Sequence, residues 1–151
     1  SAIAFCPKST YDYPLDTRGV IQHEAGGHGF GKLADEKIAI NGFIPNDEIA
    51  NINSKHALGW YQNISSTGKM HKVPWAHLIF DERYSNDVDI FEGGCMYSRG
   101  VFRSEQNSCM NNCIPYFNTI SREAIVKRIM EYAGESYSFE EFVKNDKVEF
   151  P

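Results

Sequence analysis

The chain has 151 residues, 42 % hydrophobic and 23 % charged, with a net charge of −5. Those values fit one globular domain, and the acidic balance argues against a nucleic-acid binder, which presents a basic face. No run approaches the ~18 apolar residues of a membrane span, and no basic-then-apolar leader opens the chain, which leaves secretion open.

In chain order, residues 2–6 (AIAFC) read as a short buried strand, followed by a proline-broken loop, KSTYDYPLDTR. GVIQHEAGGHGFGKL then carries a helical pattern through Val20, Ile21, Glu24 and His28. Gly29 and Gly31, both able to take left-handed conformations, mark its end. Residues 38–43 suit a brief strand or an extended segment. After Pro45, NDEIANINSKHALGWY predicts a helix capped by Asn46 or Asp47. ISSTGKMHK is a loop, VPWAHLIF a short apolar segment of open type, and DERYSNDVD turn-like. IFEGGCMYSRGVFRSEQNSCM is punctuated by glycine and predicts irregular structure. SREAIVKRIMEYAG has a 3.6-residue apolar period and ends at Gly134, the clearest helix after the first. Ser138 to Glu141 forms a capping box that opens a last helix, SFEEFVK.

The four cysteines, at positions 6, 95, 109 and 113, form no Cys-x-x-Cys pair, which argues against a cysteine zinc site. Cys109 and Cys113 are spaced to meet across one helical turn; free, buried thiols and disulfides both remain open. The fold class expected is α+β, mostly helical and irregular, in one domain over residues 1–151.

The stretch HEAGGHGFGKLADE, His23 to Glu36, carries the chemistry. Its two histidines are five apart. In a regular helix, at about 100° per residue, positions five apart diverge by about 140° and the imidazoles cannot share an ion. A one-residue π-bulge brings them back onto one face, and such bulges concentrate at functional sites. Ala25, Gly26 and Gly27 leave room for it. Mid-helix glycines cost roughly 1 kcal/mol each against alanine, so a purely structural helix has little use for two of them. His23 and His28 are therefore read as metal ligands. Glu24 is then placed to act as general base on a metal-activated water. A catalytic zinc needs a third protein ligand and an open position. Asp35, just past the glycines, is the candidate, with Glu36 as its substitute.

HEAGGHGFGKLADE resembles the zinc motif of the immunoglobulin-A-peptidase-like metallopeptidases, a metzincin-like family with a pattern similar to His-Glu-x-x-His-x-x-Gly-x-Leu-x-Asp-Glu. Counted from His28, the residues Gly31, Leu33, Asp35 and Glu36 all match, and the one departure is the extra residue between the histidines. A similar insertion is found in the gluzincin dipeptidyl peptidase III, which is active with zinc. Metzincins place the third ligand six residues after the second histidine. Here that position is Ala34, and Asp35 at plus seven is the family-like choice. The resemblance, over roughly residues 15–140, implies a zinc-dependent peptidase acting on a protein or peptide substrate. It also implies a secreted, cell-surface or periplasmic location, and a methionine turn with Met110 beneath the metal. About twenty residues precede the motif helix, too few for the sheet such helices pack against. The chain is accordingly expected to be the C-terminal part of a longer metzincin-like protein.

Other residues are weighed less heavily. Tyr97, Arg103 and His71 are of the right type to polarise a carbonyl. Glu92 suits the orienting of a ligand histidine, and Glu82 or Glu92 would be third ligand in a gluzincin-like exopeptidase. His56 and His77 read as surface or packing histidines, and Trp60 and Trp75 as core or cleft wall. A catalytically silent binding module on the same fold is the remaining alternative.

Overall fold

The computed structural model describes residues 3–147. Its elements are α1 (Thr17–Ile21), a π-helix (Gln22–Gly31), β1 (Ile38–Phe43), α2 (Asn46–His56), β2 (Ile64–Ser65), α3 (Ala76–Ile79), β3 (Phe91–Gly94), β4 (Met96–Arg103), α4 (Cys109–Asn112), α5 (Thr119–Ala133) and α6 (Phe139–Asn145). The α+β expectation holds: six α-helices and the π-helix accompany a four-stranded mixed sheet. No described helix is long and apolar enough to cross a membrane.

The motif helix departs from the expected single bulge. Asp16 caps α1 by accepting from the Arg18 amide at 3.0 Å. The chain then widens into ten consecutive π-helical residues. At its end the Lys32 amide donates to the Gly27 carbonyl, five residues back. The left-handed residue that stops the helix is Lys32, at φ 54°, and neither Gly29 nor Gly31 is. Gly31 serves close packing instead: a Cβ there would lie 3.0 Å from Ile125 Cγ1 on α5.

Three further expectations change. Residues 3–6 of the AIAFC segment form no strand, and Ile3 and Phe5 are 96 % and 81 % exposed, since no partner strand lies alongside them; Ala2 lies outside the described residues. Pro45 stands at the N-cap of α2, so Asn46 and Asp47 occupy the first turn, where Asp47 faces the positive end of the helix dipole. The glycine-rich 90–103 segment is regular: β3 and β4 form an antiparallel pair whose register shifts between Glu92 and Gly94. Gly93, Gly94 and Gly100 have φ of 111°, 152° and 79°, so these glycines bend the ribbon without ending it.

β4 organises the sheet, pairing in parallel with β1 and antiparallel with β2 and β3. One buried cluster joins Trp75, Leu78, Val88, Ile120 and Phe142, and makes Trp75 a core residue whose Nε1 donates to the Asp89 carbonyl. A second joins Ala34, Ile44, Ile52, Ile64 and Val101 behind the sheet. The third, Leu33, Met110 and Ala124 with Phe117 and Ile125, lies between the π-helix and α5. Gly134 caps the end of α5 and Ser138 caps the start of α6, its hydroxyl accepting from the Glu141 amide, as the sequence predicts.

Candidate metal centre

The wide turn places the rings of His23 and His28 4.8 Å apart, at 84° to each other. Each ring is held from behind. His23 Nδ1 lies 2.7 Å from the Cys109 carbonyl oxygen, and His28 Nδ1 lies 2.8 Å from the Leu33 carbonyl oxygen. A carbonyl only accepts, so each Nδ1 carries the proton and each Nε2 is left to face the site.

Asp35 completes the group. Its Oδ1 is 3.2 Å from His23 Nε2 and its Oδ2 is 3.5 Å from His28 Nε2. Among the described residues this is the one group of three or more His, Cys, Asp or Glu side chains whose ligand atoms lie close enough together, within 4.8 Å, to hold a metal ion. Two imidazole lone pairs and a carboxylate converging on one point repel one another unless a cation lies between them. In the metal-free protein, hydrogen bonds to Asp35 favour the protonated imidazoles. Burial pulls the His23 pKa down, but hydrogen bonds to Asp35 and to the Cys109 carbonyl leave it raised. The Asp35 hydrogen bond raises His28 above its usual value. Burial of Asp35 is outweighed by the two histidines, which hold its carboxyl well below the usual carboxylate range.

Glu24 is half-buried, its side chain has no hydrogen bond or ion pair among the described residues, and it lies close enough for its charge to raise His28. A cleft of about 330 Å³ opens beside His28 and Asp35, lined by Ile40, Glu48, Tyr61, Cys95, Met96 and Tyr97 among others. Below the π-helix lies Met110, fully buried; a Cβ on Gly27 would stand 2.2 Å from its Sδ.

Several weighed residues lie elsewhere. Glu36, the substitute ligand, faces away from the imidazoles and is buried against Asn63, Ser108 and Asn118. Glu92 accepts from the Gly100 amide, and neither it nor Glu82 joins the group. Arg103 donates to the carbonyls of Glu92 and Gly93. His71 stacks on Phe80, His56 bonds the carbonyls of Tyr61 and Ile64, and His77 pairs with Glu123. Trp60 lies beneath Lys32 and Lys55. The four cysteines are free, so the helical-turn spacing of Cys109 and Cys113 yields no disulfide. Burial pushes the Cys95 and Cys109 thiols up to about 12.

The sequence reading missed the carbonyls of Cys109 and Leu33, which act through the backbone and leave no residue signature. It also missed Asn63, Ser108 and Asn118, three small polar residues remote in sequence. Comparison with family models and with curated proteins returns no match.

Proposed function

We propose that the chain is a zinc-dependent peptidase of the metzincin-like kind, with His23, His28 and Asp35 as metal ligands and Glu24 as general base. The observation that carries this reading is the convergence of two Nε2 atoms and one carboxylate, with both Nδ1 atoms occupied by carbonyls. Imidazoles anchored through the far nitrogen are the usual arrangement around a catalytic metal.

When bound, a zinc ion supplies a Lewis acid and a water acidified to near neutrality. The residues of the chain do the rest. Glu24, adjacent to His23 and unpaired, takes the proton from the attacking water and returns it to the leaving amine. In this reading the cleft beside His28 receives the peptide, and Tyr97, which lines it, is the residue to donate to the scissile carbonyl. Met110 supplies an apolar, polarizable floor under the helix. The gluzincin-like alternative has less support, because Asp35 meets both histidines while Glu82 and Glu92 do not.

The test is zinc stoichiometry together with cleavage of a broad peptide library. One zinc per chain is expected, with hydrolysis reduced by about 10²–10⁴ in Glu24→Ala while zinc is retained. Stoichiometric zinc without any cleavage would refute the peptidase and leave a silent binding module. No zinc would refute the centre.

A further inference from the structure

Glu36 is 0 % exposed, yet its carboxylate receives hydrogen bonds from three separate parts of the chain. Asn63 Nδ2 donates to Oε1 at 2.9 Å, Asn118 Nδ2 to both oxygens at 2.8 and 3.0 Å, and Ser108 Oγ to Oε2 at 2.5 Å. Burying a carboxylate carries a large desolvation cost, and an apolar side chain of similar volume would fill the space without it. A function that needs the donors held in register explains why the acid is there.

Each donor belongs to a segment that shapes the cluster. Asn63 also clamps the backbone of Ala34, accepting from its amide and donating to its carbonyl, both at 2.9 Å, one residue before Asp35. Ser108 precedes Cys109, whose carbonyl fixes the His23 ring. The Glu36 amide donates to the Met110 carbonyl at 2.8 Å, tying the same two segments a second time. Asn118 caps α5 by accepting from the Ser121 amide, and so ties the network to the helix that packs on Gly31.

We infer that Glu36 is a positioning residue for the centre, its carboxylate locking the turn that bears Asp35 to the segment that orients His23. The inference rests on the proposed reading of His23, His28 and Asp35 as metal ligands. Without the lock, the segments bearing the three ligand groups are free to move apart in the metal-free protein, and part of the binding energy goes into regathering them. Partners of this outer kind typically change metal affinity by roughly 10- to 100-fold.

The experiment measures Zn²⁺ affinity by chelator competition and the visible spectrum of the Co²⁺-loaded chain, for wild type, Glu36→Gln, Ser108→Ala and Glu123→Gln. Glu36→Gln keeps one acceptor oxygen and replaces the other with an NH₂, which cannot accept from the Asn118 Nδ2 that now bonds both oxygens. Ser108→Ala removes one donor, keeps the carboxylate, and carries the test if Glu36→Gln folds poorly. Glu123 is the control: it is equally buried, bonded by His77, Lys127 and Tyr137, and has no bond to a ligand-bearing segment. The first two variants are expected to lose roughly 10- to 100-fold in Zn²⁺ affinity and to change the Co²⁺ spectrum, whereas Glu123→Gln lowers only thermal stability. Wild-type affinity and spectrum in folded Ser108→Ala or Glu36→Gln would overturn the positioning role while leaving the centre intact. Equal losses in Glu123→Gln would reduce it to general stability. A wild-type chain that binds neither ion would sink the centre and the inference together.

Discussion

The imidazole of His23 is fixed by a backbone atom 86 residues away: its Nδ1 stands 2.7 Å from the carbonyl oxygen of Cys109. That bond settles which nitrogen carries hydrogen, and it aims Nε2 at Asp35. His28 has the same arrangement through Leu33, only five residues away. Because both rings are pre-aimed, deleting one proposed ligand differs in kind from deleting an outer partner. His28→Ala is expected to weaken Zn²⁺ by more than the roughly 10- to 100-fold typical of an outer-partner loss. Metal content after dialysis against a chelator, near one per chain in wild type and near zero in the variant, checks it.

In the proposed centre, proton and metal would compete for the same three groups. Without metal, the raised pKa values of His23 and His28 contribute stability that is full below about 6.5, the unfolded value, and lost as pH rises through their folded values. The lowered pKa of Asp35 contributes stability present above the unfolded carboxylate value and lost only in strong acid. The metal-free chain should therefore melt at lower temperature as pH goes from 6 to 8, roughly the window around the unfolded histidine value. Zn²⁺ needs neutral imidazoles, so the thermal shift it produces should grow over that same window. A shift that stayed constant with pH would count against histidine ligation. Thermal melts with and without Zn²⁺ provide both curves.

Gly27 and Met110 offer a packing test. Alanine at 27 would bring a Cβ to 2.2 Å from Met110 Sδ, inside a fully buried cluster. Overpacking of this sort costs about 1–3 kcal/mol, read as a reduced denaturant midpoint. Trimming the sulfur side should relieve it, so Gly27→Ala combined with Met110→Ala is expected to fall short of the sum of the single costs. Strict additivity would show that the two do not touch.

Glu123 holds α3 and the segment before α6 against α5. It is 1 % exposed, and although burial alone would raise its pKa, hydrogen bonds from His77, Lys127 and Tyr137 bring it down to about 2. A lowered carboxyl contributes stability that is present above its unfolded value, about 4.5, and fades as pH falls towards 2. The wild type should lose thermal stability between those limits by more than Glu123→Gln does. Parallel acid melts decide it.

The sequence alone determined the local features. The helix ending at Gly134 and the cap at Ser138 were legible because each depends on neighbours within a few residues; the strand at 38–43 was only suggested by its composition, since its partner β4 is remote in sequence. The five-residue spacing of His23 and His28 called for a widened turn on the same local grounds, since in a regular helix positions five apart face different ways. Tertiary structure decided the rest. It extended one bulge into ten π-helical residues, with Gly27 accommodating Met110 and Gly31 accommodating Ile125. It made strands of 91–103, where pairing with β1 and β2 outweighed the glycines. It also separated Asp35 from Glu36, aiming one carboxylate at the imidazoles and burying the other among Asn63, Ser108 and Asn118. Adjacent carboxylates carry no signal of which way each faces; that depends on donors 27 to 82 residues distant, which only the folded chain brings within hydrogen-bonding reach.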